Sequence, residues 1–381
     1  SWYGSTLGHA VLSAAALWAA LPPLDLWPLA WIAPVWWLLL IRREALPGRR
    51  PYVVLSLVGF LFWMAALHWL RLPHPATSIG WIALSGYLAL HLPVFVGLTR
   101  IAVHRFRVSV VVAAPIVWTG LELARAHLLT GFTMASLGHT QYHWIGLIQM
   151  SDITGAYGVS FVVMAVAACL ARMLPCESRR PAVWPLLPAA ATLAAVLAYG
   201  YSQITTATQE PTPTARIALM QGSIDIEMKY DPKQRGYLLD QYVGLSRRAA
   251  SENAPLDLIV WPETMFPQVL YVEGPNTRMP EEWKSQQPRF RSYSQEDFQR
   301  ELREVTARSR WPMENLAKQL DTPLLLGVST VVLGDGDEQI FISAAMVARD
   351  GTIVGRYDKM HRVLFGEYVP WSDEFPWLRR F

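Results

Sequence analysis

Cysteine is scarce in this sequence, whose 381 residues include only Cys169 and Cys176. Neither belongs to a CxxC pair or to a cluster of cysteines and histidines, so the sequence supports neither a disulfide framework nor a structural zinc site. We interpret Cys169, which lies in an apolar run, as a small apolar side chain, and Cys176 as a thiol in the basic loop that follows. The sequence predicts no metal and no cofactor, and neither cysteine is placed to be a nucleophile.

Charged residues are also few, and one kind of cation is missing from half of the chain. Charged side chains make up 17% of the residues, against roughly a quarter in soluble proteins. All five lysines lie beyond residue 228. The net charge of +3 is small, and no basic stripe is interleaved with aromatic residues, as a nucleic-acid-binding surface requires. Nucleic acid is therefore not an expected partner.

Apolar sequence is abundant: 52% of the residues are hydrophobic and 17 are tryptophan. Apolar runs of about 17 to 25 residues are long enough to cross the hydrocarbon core of a bilayer, which is roughly 30 Å thick. Without water each run is expected to be helical, since a helix satisfies its own backbone groups. The sequence therefore predicts a multi-pass α-helical membrane domain over 1–201, with about seven spans at approximately 7–22, 24–41, 53–70, 79–99, 108–126, 157–173 and 183–201.

Arginine is distributed unevenly among the loops between these runs. Ten arginines lie in 41–52, 100–107 and 171–181, whereas the alternate loops contain only Arg71 and Arg125. Such a bias marks the cytoplasmic side of a membrane protein. We therefore predict that the arginine-rich loops are cytoplasmic and that the chain after residue 201 lies outside.

Two opposite charges, Glu122 and Arg125, lie one turn apart at the end of the fifth run. Charged residues within a membrane span are candidates for function, but we interpret this pair as a structural couple because it lies near the interface. The apolar loop that follows, 127–156, is expected to lie on the outer leaflet or dip into it. We interpret its three histidines as packed or interfacial rather than as ligands of a lipid headgroup.

The sequence pattern changes after a polar linker at 202–214, which is rich in Thr and Pro. Beyond it, short apolar strands alternate with amphipathic helices, which indicates a layered α/β domain over 215–381. The segment 272–295 has no apolar periodicity, so we predict a long loop there. The predicted strands are 216–222, 258–261 and 323–332, followed by a hairpin of 341–349 and 352–357, and the predicted helices are 234–252 and 296–320.

Two motifs in this domain supply a base and a cation, as in a site assembled at strand ends. The strand LIVWPETMFP, residues 258–267, ends in a single carboxylate, Glu263, and the segment YDKMHRVLFGEYVP, residues 357–370, carries Lys359 and Glu367. A carboxylate in an apolar setting has its pKa raised toward neutrality and serves as a general base. A lysine beside it stabilises negative charge that develops on an oxygen. Taken singly, each residue has a simpler interpretation, as a surface carboxylate or helix cap and as a solvated lysine.

The two motifs resemble the Glu and Lys motifs of the nitrilase superfamily, and the apolar half that precedes them makes the whole chain similar to the apolipoprotein N-acyltransferase family. The resemblance implies a four-layer α-β-β-α sandwich for the second domain. It implies that Glu263 is the general base, that Lys359 stabilises the oxyanion, and that Glu367 orients Lys359 or receives the proton of an incoming amine. It also implies substrate-binding roles for Tyr230, His361 and Phe365.

The resemblance further implies a two-step reaction at the bacterial inner membrane. A cysteine thiolate takes an acyl chain from a phospholipid, and the thioester is then attacked by the α-amine of the diacylglyceryl-cysteine of an apolipoprotein. Both substrates are anchored in the outer leaflet, so the membrane itself is a partner. The catalytic domain is expected on the periplasmic side.

The chain departs from the family's pattern in one respect. The family's nucleophile is a cysteine a few tens of residues after the Phe-Gly-Glu motif, and this sequence has no cysteine after Cys176. As given, it is expected to form no acyl-enzyme and to be inactive. We expect a member of the family that is truncated at its C-terminus, rather than a degenerate relative, and the reading frame beyond Phe381 distinguishes the two.

Three other functions compete with this interpretation. A membrane-tethered amidase of the nitrilase type would use water as the acceptor and would turn over soluble amides without lipid. A relative built on the same scaffold would bind lipid or lipoprotein without catalysis. A transporter is disfavoured, because the apolar runs carry no paired charges at mid-membrane and show no repeat.

Overall fold

The residues that the computed structural model describes fall into two compact units, formed mainly by Ser1–Pro211 and by Thr212–Glu367. Each unit has its own hydrophobic core. The described residues are 5–72, 75, 77–129, 131–177, 181–207, 214–225, 228–229, 231–252, 255–279, 291–335, 338–361, 363 and 374.

The first unit is helical. Its first helix begins after Ser5, whose side chain accepts a hydrogen bond from the N–H of Gly8 (3.0 Å) and so caps the helix. Helical 3₁₀ turns occur at Trp27–Trp31, His68–Arg71 and Leu137–Gln141, and a π turn occurs at Ile101–Arg105. In chain order the α-helices are α1 (Thr6–Ala20), α2 (Val35–Arg42), α3 (Pro51–Ala66), α4 (Thr77–Ala89), α5 (His91–Arg100), α6 (Val110–His127), α7 (Ile145–Ile148), α8 (Ser151–Met173) and α9 (Leu186–Ala207).

Two stretches of the described residues are long and apolar enough to cross a membrane: Thr77–Arg105, with 29 residues, and Ser151–Met173, with 23. Other predicted spans form shorter apolar helices, among them α1 and α3. The predicted run 24–41 is broken, because Pro28 lies in a 3₁₀ turn and Pro34 precedes the start of α2. By length and composition, two of the predicted spans could therefore cross a membrane, and the seven-span arrangement stays a prediction.

Two arginines from the predicted cytoplasmic loops have structural roles inside this unit. Arg42 is only 1% exposed and donates through Nη1 to the carbonyl oxygens of Ala171 and Leu174, at the end of α8. Arg100 donates to carbonyl oxygens within 40–44, at the end of α2. The last carbonyls of a helix have no partner within it and attract cations. Part of the arginine bias that predicts orientation therefore comes from helix capping.

Glu122 and Arg125 are both buried in α6. Oε1 of Glu122 accepts hydrogen bonds from Trp118 Nε1 (3.0 Å) and from the N–H of Leu137 (2.8 Å). Arg125 donates to Ser136 Oγ (2.9 Å). Each residue thus ties the turn after α6 back to the helix. Their role is structural: each bonds to that turn, and the Glu122 carboxylate also interacts electrostatically with Arg125, as the predicted couple requires.

The second unit contains a mixed sheet, six-stranded within the described residues, with two long helices packed on it. Strands run in the order β1-β2-β4-β5-β6, and β3 also pairs with β4. The pairs β1–β2, β2–β4 and β3–β4 are parallel, and β5 is antiparallel to both β4 and β6. The four-layer sandwich stays a prediction. The elements are β1 (Ile217–Leu219), α10 (Arg235–Glu252), β2 (Leu258–Val260), β3 (Phe266–Arg278), α11 (Gln295–Leu320), β4 (Leu324–Asp335), β5 (Glu338–Val347) and β6 (Ile353–Asp358).

Strand β4 is long enough to pair with two strands along one of its edges. Strand β2 pairs with its first residues, Leu324 and Leu325, and β3 pairs with it from Val328 to Asp335. The N–H of Trp261 still donates to the carbonyl oxygen of Leu325 (2.9 Å), and the chain then leaves the ladder over 262–265, which is a bulge in an otherwise continuous edge. The sheet therefore carries an interruption beside the middle of β4.

Most predicted elements of this unit are confirmed, and one is wrong in part. The helices predicted at 234–252 and 296–320 are observed as α10 and α11, and the predicted hairpin is observed as β5 and β6. The loop predicted over 272–295 is wrong at 272–278, because β3 runs to Arg278. This segment has no apolar periodicity of its own. It forms a strand because it pairs with β4, which is distant in sequence. Residues 280–290 lie outside the described residues.

Candidate active site

Three charged residues follow the carboxyl ends of strands that run in one direction. Because β1, β2 and β4 are parallel and the chain reverses at β5 and again at β6, the strands β1, β2 and β6 point to the same edge of the sheet. Lys229 follows β1, Glu263 follows β2 and Lys359 follows β6. Ligands of α/β sheets bind outside the carboxyl ends of strands. The topology therefore brings these three residues to one place.

Glu263 lies on the bulge between β2 and β3. Pro262 has no N–H to donate to β4, and Thr264 has a positive φ of 54°, which turns the chain away from the sheet. Trp261 anchors the start of the bulge in the core, where its indole N–H donates to Ser246 Oγ (2.9 Å). The side chain of Glu263 is thereby held outside the sheet and is 55% exposed. The bulge alone therefore does not give this carboxylate the apolar surroundings that we expected.

Gly327 of β4 lies directly under this bulge. A Cβ atom at this position would overlap the carbonyl oxygen of Pro262 and would lie 2.7 Å from the Cα of Glu263. Gly327 pairs with Ala344 of β5, so small residues form the floor of the site. Glycine is therefore required here by the close approach of the Glu263 main chain.

Gly327→Ala is expected to displace the Glu263 turn and to destabilise the protein by about 1–3 kcal/mol, as overpacking does. The clash is with main-chain atoms, which cannot rotate away as a side chain can. Thermal unfolding of the purified protein measures the effect. Gly355→Ala in β6 is the matched control, because a Cβ atom there meets nothing within 4 Å. Equal unfolding temperatures for the two variants would contradict the requirement for glycine.

Lys359 extends the pairing of β6 beyond its last residue, since its N–H donates to the carbonyl oxygen of Ile342 (2.8 Å). Its side chain is 26% exposed, and its Nζ lies 3.1 Å from Oε1 of Glu263. Strands β2 and β6 are three inter-strand spacings apart, about 14 Å. The two side chains therefore meet above β4 and β5, where the small residues of the floor leave room for them.

A cleft of about 440 Å³ opens at this contact. Its walls are mostly apolar, with surface from Leu325, Ile342 and Met360, and its charged side chains are Glu263 and Lys359. Apolar walls with a few convergent polar groups are typical of sites for small molecules and acyl groups. The cleft is therefore the candidate active site of this unit.

Three of the predicted site residues lie on this cleft: Glu263, Lys359 and His361. The geometry brings Glu263 and Lys359 into contact, and His361 is exposed beside them. The roles assigned to these residues stay predictions. The other predicted site residues, Tyr230, Phe365 and Glu367, lie outside the described residues.

Both cysteines belong to the helical unit and are buried there. Cys176, predicted as a loop thiol, lies with its Sγ 3.7 Å from the carbonyl oxygen of Leu39. Within the described part of the chain, no group of three or more His, Cys, Asp and Glu side chains is arranged to hold a metal. The cleft itself therefore contains a carboxylate and an ammonium group, without a thiol from either cysteine.

Sequence analysis missed one charged residue at this site, Lys229. Its Nζ donates to the carbonyl oxygen of Glu263 (3.3 Å). Burial lowers the pKa of Lys229; the carboxylate of Glu263 opposes this effect, and the ammonium group of Lys359 adds to it. Two signals could have found it: lysines are rare in this sequence, and Lys229 immediately precedes Tyr230, which was itself predicted to lie near the site.

Two family models match the chain. The model described as the apolipoprotein N-acyltransferase N-terminal domain matches residues 13–169, within the helical unit. The model described as carbon-nitrogen hydrolase matches residues 216–374, the range that carries Glu263 and Lys359. The two matches follow each other in the order of the two units.

Curated relatives match nearly the whole chain. An apolipoprotein N-acyltransferase of Geobacter metallireducens is 32% identical, over 97% of this chain and 66% of that protein. One from Rhodopirellula baltica is 29% identical, over 96% of this chain and 68% of that protein, and one from Chlorobaculum tepidum is 30% identical, over 94% and 64%. The chain thus spans about two thirds of the length of these relatives. With its helical and its α/β parts both matched, the chain belongs to the apolipoprotein N-acyltransferase family.

Proposed function

We propose that this protein is an N-acyltransferase that moves an acyl chain from a phospholipid to the α-amine of the N-terminal diacylglyceryl-cysteine of an apolipoprotein. The observation that carries the proposal is the 3.1 Å contact between Lys359 Nζ and Glu263 Oε1 in an apolar cleft. A base and a cation held together serve acyl transfer. Relatives with this activity in their names give the substrate class.

In the first step, the thiol of a cysteine supplied by the full-length protein loses its proton to Glu263 as its sulfur attacks the ester carbonyl carbon of the phospholipid. Negative charge develops on the carbonyl oxygen beside the ammonium group of Lys359. The ester C–O bond then breaks, Glu263 returns the proton to the leaving oxygen, and a lysophospholipid departs. Because Glu263 is 55% exposed, the acyl chain entering the cleft supplies the exclusion of water that this proton transfer requires.

In the second step, the α-amine of the apolipoprotein attacks the thioester carbonyl carbon. Lys359 again stabilises the oxyanion, Glu263 accepts a proton from the nitrogen, and the C–S bond breaks as the amide forms. The sulfur recovers its proton from Glu263. The resemblance gives Glu367 the task of orienting Lys359 or receiving the amine proton. It gives substrate-binding roles to Tyr230, His361 and Phe365.

The proposed organisation links this chemistry to a membrane domain in the same chain. We assign 1–201 to a multi-pass transmembrane domain of about seven spans, 202–214 to a linker and 215–381 to a nitrilase-like domain of the α-β-β-α type. Two long apolar helices and the two family matches support this assignment. The protein is proposed to lie in the bacterial inner membrane with its catalytic domain on the periplasmic side, where both lipid substrates are anchored.

The match of 216–374 to carbon-nitrogen hydrolases favours one second candidate, a membrane-tethered amidase. Such an enzyme would use the same base and cation, with water in place of the amine. It would turn over a soluble amide in the absence of lipid. The match of 13–169 to the N-terminal domain of the acyltransferases favours the transferase over the amidase.

The reading frame beyond residue 381 is expected to encode a strand that carries a cysteine within a few tens of residues of the Phe-Gly-Glu motif at 365–367. Sequencing the gene checks this directly, and its whole product is the full-length protein of the experiments below. That product is expected to add one acyl chain to a diacylglyceryl lipopeptide in phospholipid micelles, measured by mass spectrometry. A stop codon before any cysteine would contradict both enzyme functions and favour non-catalytic binding of lipid or lipoprotein.

A further inference from the structure

Lys229 bonds to the bulge that carries Glu263, but it does not line the cleft. It is not among the described residues that line the cleft, yet its Nζ lies 3.3 Å from the carbonyl oxygen of Glu263. We infer that Lys229 is a positioning residue. It holds the main chain of the bulge at Glu263 and thereby keeps the Glu263–Lys359 pair in place. The inference rests on the proposed acyl transfer and adds to it a residue that touches neither substrate nor nucleophile.

The backbone around Lys229 presents its side chain to this bulge. Residues 228–229 form a short helical turn after β1, in which the N–H of Lys229 donates to the carbonyl oxygen of Asp225 (3.1 Å). Strand β1 is the parallel neighbour of β2. The segment that follows β1 therefore emerges beside the bulge that follows β2, and a lysine side chain is long enough to reach from one to the other.

The bond made by Lys229 stabilises a strained part of the site. The bulge includes Pro262, which donates no backbone hydrogen bond, and Thr264, with its positive φ. The carbonyl oxygen of Glu263 accepts hydrogen bonds from Thr264 Oγ1 (2.8 Å), within the bulge, and from Lys229 Nζ (3.3 Å), and the charged donor adds to what the neutral hydroxyl supplies. Lys229 therefore supplies, from outside the sheet, a bond that the interrupted ladder does not.

Charge couples Lys229 to both members of the pair. The groups that act on it are the carboxylate of Glu263, which favours its charged form, and the ammonium group of Lys359, which opposes it. Both ammonium groups therefore interact electrostatically with the Glu263 carboxylate, and of the two Lys359 contacts it directly. Removing Lys229 loosens the bulge and also changes the electrostatic field in which Glu263 transfers protons and Lys359 stabilises the oxyanion.

The first test measures turnover by the full-length protein with a lipopeptide acceptor. Lys229→Met is expected to lower kcat about tenfold, the loss of one hydrogen bond from a charged donor, with KM nearly unchanged because the residue does not line the cleft. Lys229→Arg keeps the cation and the donor and is expected to restore most of kcat. Lys233→Met, which removes an exposed lysine four residues away in sequence, is the matched control. A Lys229→Met enzyme with the kcat of the control would overturn the inference.

The second test needs no catalysis and is made on the full-length protein. Acetic anhydride acetylates unprotonated lysines, so peptide mass spectrometry over a series of pH values yields the pKa of Lys229. Glu263→Gln is expected to lower this pKa, and Lys359→Met is expected to raise it, as the signs of the two interactions require. If neither substitution moves it, Lys229 is not coupled to the pair and the inference fails, whatever the enzyme's activity. If both shifts occur in a protein that transfers no acyl chain, the coupling stands and the proposed function fails.

Discussion

Glu263→Gln is expected to lower the rate of N-acylation by the full-length protein at least about 10²-fold, the usual contribution of a general base. Glutamine has nearly the same shape and keeps an oxygen that accepts a bond from Lys359, but it cannot take the proton of a thiol or an amine. Both steps of the reaction pass a proton through this carboxylate, so both should slow. The measurement is the rate at which an acyl chain is added to a diacylglyceryl lipopeptide in micelles.

Glu273→Gln is the matched control for this substitution. Glu273 is an exposed carboxylate on the same strand that follows the bulge, β3, so the change in net charge is the same in both variants. Its rate is expected to equal that of the unmodified protein. A Glu263→Gln enzyme that acylates as fast as this control would remove Glu263 from the mechanism.

Lys359→Met is expected to lower the same rate by about 10²–10³-fold, the cost of losing one oxyanion donor. Methionine keeps the apolar stem that crosses the floor of the cleft and removes the ammonium group. The developing oxyanion then has no cation beside it in either step, while phospholipid binding in the apolar cleft is retained. The expected pattern is a loss in kcat with little change in KM, measured by varying the phospholipid.

Two comparisons sharpen the Lys359 experiment. Lys233→Met removes a lysine that is exposed and outside the cleft lining, and it should leave kcat unchanged. The double variant Glu263→Gln/Lys359→Met should be about as slow as the slower single variant, because the two residues act on the same transition state. Fully multiplicative losses would show that the two residues act independently, against the 3.1 Å contact.

The pairing of Glu263 with Lys359 could be predicted from sequence because it depends on strand order. Each residue ends a short apolar strand, and such ends meet at one edge of an α/β sheet. Lys229 could not be predicted in the same way, because its link to the site runs from a side chain to a main-chain carbonyl oxygen. No pattern of residue types reports where a carbonyl group points. The need for Gly327 was hidden for the same reason, since it follows from how closely the Glu263 main chain approaches β4.

The fold shows the same division between local and non-local causes. Helices α10 and α11 follow from amphipathic periodicity and from a capping box in which Ser294 and Asp297 bond reciprocally at the start of α11. The end of β3 follows instead from its pairing with β4, which its own residues do not indicate. Arg42 is another example: its sequence context is a basic loop, but its charge is committed to carbonyl oxygens at the end of a distant helix.

Intact-mass spectrometry of the full-length protein, incubated with phospholipid and no acceptor, tests whether Glu263 and Lys359 serve a cysteine nucleophile. We expect a mass gain of one acyl chain, located on a cysteine encoded beyond residue 381, removed by neutral hydroxylamine as a thioester is, and absent from the Glu263→Gln variant. An acyl group that resists hydroxylamine, or an equal acyl load on the Glu263→Gln variant, would contradict the proposed role of the pair.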